Sequence, residues 1–238
     1  MKTLVLAGGL GTRLRPLVAD RPKPMAPAAG KPFLEYLVEW LAAQSFDDLV
    51  FCLGYRAGQV RDYFGDGRRW GVRLAYALEA EPLGTAGALK NAASHLAGPF
   101  LVLNGDSYLE VDLAAMVAAH RARGGLGTLA ALRLPDASAA GALELGDGNR
   151  ILRFQEKSEA GPAWVNGGIY LLEPDILDLI PAGRAVSIER ETFPLSLARG
   201  WHLYAYLAAG FFVDIGTPDG YRRFQDYVST RDLKESNP

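Results

Sequence analysis

Short, unbroken apolar runs recur along this chain, each followed by a segment with helical spacing. Residues 3–7, 49–53 and 100–103 are such runs. A strand with one wet face alternates apolar and polar residues; one that is apolar at every position must be covered on both faces. Between the runs, residues 32–43 place Phe33, Leu34, Leu37, Val38 and Leu41 on one helical face. Strands that alternate with amphipathic helices predict an α/β fold, with a mainly parallel sheet between helical layers. The 238 residues, 49% hydrophobic and 22% charged, can bury such a core without disulfides and exclude a disordered or collagen-like chain.

The pattern extends to a short helix at 59–64, a strand at 72–77, and a helix at 85–96 with Thr85 as N-cap. Asp112 is placed to cap a helix that runs through Arg121. From Gly124 onward, strands are expected at 126–134, 142–145 and 151–154. Gly167 and Gly168 precede a strand at 169–172, and helices at 188–198 and 218–228 flank strands near 203–207 and 211–213. The tail after Arg231 is polar and expected to fray. No repeat, linker or low-complexity tract divides the chain, which reads as one domain.

Charge and composition narrow the function. Lys and Arg total 25 and Asp and Glu 27, a net charge of −2, so there is no broad basic surface for nucleic acid or anionic membrane. The single cysteine, Cys52, lies in an apolar run and reads as a core residue. His95, His120 and His202 are scattered without metal-binding spacing. No apolar run approaches the roughly 18 residues of a membrane span. The N-terminus has Lys2 and a short apolar stretch, but glycines and Arg13 and Arg15 interrupt the pattern of a signal peptide, so a cytoplasmic protein is expected.

Gly8, Gly9 and Gly11 follow the first apolar run directly. Glycines let a backbone turn sharply and bring N–H groups against a phosphate, and ligands of open α/β sheets bind beyond strand C-termini. The loop lacks the Lys of a Walker A motif, and the third glycine of a dinucleotide fingerprint is replaced by Leu14. Taken alone it is equally a structural turn. Arg13 and Lys23 add positive charge beside it. Pro16, Pro22, Pro24 and Pro27 predict a stiff, extended, non-helical stretch that would hold Lys23 over phosphates. Asp106, after the run 100–103, and Asp214, after 211–213, are carboxylates just past strand ends. A parallel sheet could bring both to one rim, where Mg²⁺ takes one or two carboxylates plus phosphate oxygens and water.

The run LAGGLGTRLRPL followed by PKPM resembles the signature of sugar-1-phosphate nucleotidyltransferases, and further segments extend the resemblance over most of the chain. It implies a Rossmann-like, doubly wound, mixed and mainly parallel sheet, with no C-terminal β-helix. It implies a nucleotide-binding half at 1–123, a sugar-phosphate half at 124–231 and a tail at 232–238. The reaction implied joins an NTP to a sugar 1-phosphate and releases pyrophosphate, with Mg²⁺ held by Asp106 and Asp214. No covalent nucleophile is needed, because positioning and charge neutralisation suffice.

Residue by residue, the resemblance assigns Arg13 and Lys23 to catalysis. Leu6, Gly8, Gly9, Gly11 and Thr12 would hold the nucleotide, with Glu79, Pro82, Gly84 and Thr85 at the base. A Glu79 carboxylate can accept from guanine N1–H and the 2-amino group, and equally from uracil N3–H. Asn104, Glu156, Lys157, Asn166 and Gly168 would hold the sugar phosphate; Ser158 stands where the family often has proline.

The segment SIERETFP is similar to guanylyltransferases, and the compact length is similar to enzymes acting on D-glycero-α-D-manno-heptose 1-phosphate. That implies GTP as donor, and a role in NDP-sugar synthesis for cell-surface polysaccharide. Mannose-1-phosphate guanylyltransferases and N-acetylmuramate or hexose-1-phosphate uridylyltransferases are the alternatives within the family. A homodimer is compatible, and no nucleic-acid or membrane partner is expected. A dehydrogenase lacks its third glycine and its ribose-binding acid here. A non-catalytic nucleotide-binding regulator would have no need of both aspartates.

Overall fold

Successive residues of the first strand, β1 (Lys2–Leu6), face two separate cores: Leu4 lies in one and Val5 in the other, both fully buried. The same alternation divides Val50 from Phe51 and Val102 from Leu103. This two-sided burial is what unbroken apolar runs require. The computed structural model from which these contacts come describes residues 1–9, 11, 14, 20–137, 141–155 and 161–235, with side chains to Arg231.

After β1 the chain forms two short strands, β2 (Pro27–Ala28) and β3 (Lys31–Pro32), then α1 (Phe33–Ala43) and β4 (Asp48–Leu53). Next come α2 (Ala57–Phe64), β5 (Arg73–Leu78), α3 (Gly84–Asn91) and β6 (Phe100–Asn104). The short strand β7 (Ser107–Leu109), α4 (Leu113–Arg123), β8 (Gly127–Leu134), β9 (Ala142–Leu145) and β10 (Ile151–Gln155) follow. The chain then continues through β11 (Ala163–Leu172), α5 (Phe193–Ala198), β12 (Leu203–Ala208), β13 (Phe212–Asp214) and α6 (Pro218–Glu235).

Nine strands make one mixed sheet. The run β5–β4–β1–β6 is parallel throughout. The long strand β11 then pairs antiparallel with β6, β8 and β9, and β12 adds parallel to β8. Apolar residues of α1, α2, α4 and α6 enter the core on one face, and those of α3 and α5 enter the core on the other. Phe224 of α6 packs edge-on against Phe33 and Tyr36 of α1, at 4.7 and 5.3 Å between ring centres, which fastens the C-terminal helix to the first. Such pairs add about 0.5–1.5 kcal/mol beyond burial.

One irregularity shapes the molecule. On one side of β11, β9 pairs Trp164 and Val165, and β6 pairs Ile169 to Leu172. Neither neighbour pairs residues 166–168, and the register with β8 shifts across the same stretch. The sheet therefore opens at a bulge, a device that re-aims side chains beside functional sites. Gly168 has φ +74, and a Cβ there would lie 3.0 Å from Asn104 Nδ2, so only glycine makes this turn without strain.

Several sequence expectations are corrected. The glycine pair lies inside β11 instead of before it. The helix expected at 85–96 ends at Asn91 and is followed by a 3₁₀ turn at Ala93–His95. Its N-cap position is Leu83, not Thr85, whose hydroxyl is taken by another segment. The helix expected at 188–198 begins as a π-turn, Ile188–Thr192, before α5. The backbone of α6 stays helical to Glu235, where a frayed tail was expected. Asp112 does cap α4, accepting from Ala115 N–H at 2.9 Å, and Cys52 is fully buried, its thiol pushed up to about 12 by desolvation. No helix among the described residues is long and apolar enough to cross a membrane.

Candidate active site

The C-terminal ends of β1 and β6 open onto a cavity of about 370 Å³. Leu6, Gly8, Gly9, Gly11, Lys23, Glu79, Pro82, Gly84, Thr85, Asn104 and Asp106 all line it. Ligand pockets fall in this size range, beyond the carboxyl ends of parallel strands. Glu79 stands directly behind the glycine loop: a Cβ on Gly8 would meet its Oε1 at 2.9 Å. Its Oε2 accepts from Leu83 N–H at 3.0 Å. Desolvation raises the Glu79 carboxyl above its ordinary range, partly offset by that backbone bond.

A larger cavity of about 840 Å³ adjoins the first, and Asn104 and Asp106 line both. It lies over the opened stretch of β11, with Asn166, Gly168 and Asp214 in its walls. The buried Asn104 Oδ1 has no hydrogen-bond partner among the described residues at this shared wall. A buried acceptor without a partner is costly and marks a place where a ligand or water completes the site.

At the junction one cation gathers two carboxylates. Lys23 Nζ lies 2.7 Å from Asp106 Oδ2 and 3.6 Å from Asp214 Oδ1. Lys23 is 8% exposed and sits in a 3₁₀ turn, Lys23–Met25, closed by Met25 N–H to Pro22 O at 2.8 Å. The prolines do stiffen the stretch, but they fold it into a turn instead of an extended arm, and Lys23 reaches the aspartates. Tyr221 of α6 donates its hydroxyl to Pro27 O, which anchors the segment from behind.

The aspartates also meet differently from expectation. Asp214 ends β13, which is outside the main sheet and pairs antiparallel with β7, Asp214 opposite Ser107. Ile215 N–H donates to Asp106 O at 2.9 Å, and Gly216 N–H to Asp214 Oδ1. A small separate two-stranded sheet, not the rim of the parallel sheet, brings the two carboxylates together. Two hard oxygen donors converging on one positive charge fit Mg²⁺, which takes one or two carboxylates and completes its shell with phosphate oxygens and water. Among the described residues no third His, Cys, Asp or Glu joins them.

Thr12, Arg13, Glu156 and Lys157 lie outside the described residues. The structure adds residues that sequence reasoning did not single out. Glu189 and Arg190, from the π-turn, and Arg223, from α6, line the larger cavity. Glu189 Oε1 accepts from Asn166 Nδ2 at 2.6 Å and from the Tyr170 hydroxyl at 3.0 Å. Tyr170 is fully buried, and desolvation moves its hydroxyl well above the ordinary phenol range. Glu189 keeps contact with solvent through the cavity, but the enclosing walls desolvate it and raise its carboxyl. A glutamate in the first turn of an expected helix carries no sequence signal for this position.

The two cavities share a seam. Val186 N–H donates to Leu83 O at 2.8 Å, Ala86 N–H to Val186 O at 2.9 Å, and Ile188 N–H to Thr85 Oγ1 at 2.8 Å. Gly84, with φ +68, is wedged there: a Cβ would lie 2.6 Å from Val186 O. Its glycine is required by this close backbone approach.

The nucleotidyl transferase family model matches residues 2–231. The chain belongs to the nucleotidyl transferase family. Among its relatives, mannose-1-phosphate guanylyltransferase of Mycobacterium tuberculosis is 40% identical over 92% of this chain. The chain spans 62% of that longer protein. The D-glycero-alpha-D-manno-heptose 1-phosphate guanylyltransferase of Campylobacter jejuni is 33% identical over 94% of this chain and 98% of its own length. HddC from Yersinia pseudotuberculosis, in a crystal structure complexed with GMP-PN, has a TM-score of 0.85 at 30% identity, over 95% of this chain and 99% of that one. The mixed sheet with helices on both faces is thus the nucleotidyl transferase fold.

Proposed function

We propose that this nucleotidyl transferase moves a nucleotidyl group from GTP to D-glycero-α-D-manno-heptose 1-phosphate, giving an NDP-sugar and pyrophosphate. The observation that carries the reading is the meeting of two cavities at Asn104 and Asp106, with Lys23, Asp106 and Asp214 gathered at the junction. Such a site can hold two ligands and keep their phosphates together. Relatives named as guanylyltransferases support GTP, and the heptose enzyme supports the acceptor through a likeness that spans 98% of its own length. Mannose 1-phosphate is the second reading, favoured by the 40% identical relative.

In this reading the nucleotide enters the smaller cavity. The glycine loop lets its phosphates approach the backbone, and Glu79 meets the base. The sugar 1-phosphate enters the larger cavity. Its phosphate oxygen attacks the α-phosphorus, a new P–O bond forms, and the bond to pyrophosphate breaks. Holding the partners in line supplies much of the rate, and neutralising the gathered phosphate charge supplies most of the rest. Lys23 contributes an ammonium that is already oriented and shielded from water. Asp106 and Asp214 would hold Mg²⁺, which when bound screens the phosphates and favours departure of pyrophosphate.

Pyrophosphate release, measured with ATP, GTP, CTP, UTP and dTTP against a panel of sugar 1-phosphates, tests the proposal. GTP with the manno-heptose phosphate should give the highest kcat/KM. A better pair of another kind replaces the substrate assignment, and no release with any pair overturns the reaction.

A further inference from the structure

We propose that Glu189 is a specificity-determining residue which accepts a hydrogen bond from a hydroxyl of the bound sugar, and that Tyr170 and Asn166 are its positioning residues. The inference rests on the proposed function, since it assigns a role within the larger cavity.

One oxygen of Glu189 is fully engaged. Oε1 takes the Asn166 amide at 2.6 Å and the Tyr170 hydroxyl at 3.0 Å. Asn166 also donates to the Tyr170 hydroxyl at 2.8 Å, and its Oδ1 accepts from Gly168 N–H at 2.9 Å. That last bond fixes the amide so that its NH₂ must point toward Glu189. Tyr170 is fully buried, so water does not compete for its hydroxyl. The carboxylate is therefore clamped at one oxygen, and no hydrogen bond among the described residues uses Oε2.

The backbone beneath is equally constrained. The π-turn Ile188–Thr192 begins with a reciprocal cap, in which Arg190 N–H donates to Ser187 Oγ at 3.2 Å and Ser187 N–H to Glu191 Oε1 at 2.9 Å. Ile188 N–H is held by Thr85. Single π-turns occur disproportionately at functional positions, and here the turn aims the side chain into the cavity. A clamped carboxylate with one open oxygen accepts from O–H donors and repels anions. It selects a neutral polyol face and rejects a deoxy sugar, or one carrying a carboxylate there. Glu189 is exposed toward the cavity with Oε2 left for a sugar hydroxyl, and a site built to hydrogen-bond a hydroxyl discriminates against the analogue that lacks it.

The test uses the whole protein with mono-deoxy sugar 1-phosphates, read by pyrophosphate release and by calorimetric binding. Wild type should lose about tenfold to a hundredfold in affinity for one deoxy analogue, the range for hydrogen bonds to a charged group. Glu189→Gln should raise KM for the parent sugar phosphate by a similar factor, leave KM for the nucleotide unchanged, and no longer discriminate against that analogue. Tyr170→Phe, which keeps the packing, should give a smaller change of the same kind. Equal binding of every analogue by wild type overturns the proposal, even if the variants fail to fold. Unchanged discrimination in Glu189→Gln also overturns it. Binding discrimination without pyrophosphate release would retain Glu189's role and remove the proposed reaction; release with no role for Glu189 does the reverse.

Discussion

The smaller cavity is walled mainly by backbone and small residues, and the larger by charged and polar side chains. Gly8, Gly9, Gly11, Gly84 and Ala88 line the first; Asp136, Asn166, Glu189, Arg190 and Arg223 are among those lining the second. A wall of N–H groups and small residues suits a ligand part common to many substrates, such as a triphosphate. A wall of long side chains can change with each sugar without disturbing the strands beneath. Binding chemistry that stays constant is built into backbone, and chemistry that selects is built into side chains.

The junction between the two is the place to break this contrast most severely. Asp106→Asn or Asp214→Asn should lower turnover by about 10³-fold, by analogy with losing a preorganised electrostatic contact, while circular dichroism stays native. Titration with Mn²⁺ should show weakened binding in both variants. Full activity in either would remove that aspartate from the proposed metal site. Next in size is the seam. Gly84→Ala places a Cβ against Val186 O at a positive φ and should cost roughly 2 kcal/mol or more, seen as a lowered Tm. Because the seam borders both cavities, the KM values of both substrates should rise. A change confined to the nucleotide would separate the cavities.

A milder substitution sharpens the division of labour. Glu79→Gln should raise KM for GTP about tenfold, the size of one hydrogen bond to a charged group, and leave KM for the sugar phosphate unaltered. An equal rise with UTP would show that the carboxylate reads a feature common to both bases. The smallest effect expected is on stability against pH. Desolvation raises the carboxyls of both Glu79 and Glu189, so folding favours their protonated forms. That contribution is present at low pH and lost as pH rises through the elevated folded values. The Tm advantage of Glu189→Gln over wild type should therefore grow as pH rises above the ordinary carboxylate range, and a constant difference would contradict it.

The contrast also explains what the sequence made legible. The smaller cavity grows from a contiguous stretch: the apolar strand, the glycines and the basic residues follow one another, so local rules recover it. Leu6, Gly8, Gly9, Gly11, Lys23, Glu79, Pro82, Gly84 and Thr85 all line one cavity. The larger cavity depends on pairings between distant segments. Asp106 and Asp214 were legible as residues, but the β7–β13 pairing that joins them depends on register across more than a hundred positions. Glu189 was invisible because its meaning comes from a buried tyrosine and an asparagine in an opened strand. Thr85 shows the converse error. Its hydroxyl looked like a local cap, and a long-range backbone N–H claimed it instead.

The seam at Val186 has a consequence for the two cavities it borders. The segment that carries Glu189 is stitched by hydrogen bonds to the loop whose Gly84 and Thr85 line the smaller cavity. Thermodynamics makes such communication symmetrical: whatever factor a bound nucleotide adds to the affinity for the sugar phosphate, the sugar phosphate must return to the nucleotide. A few hydrogen bonds thereby join the walls of two neighbouring pockets, so that any coupling carried through them would act with equal strength in both directions.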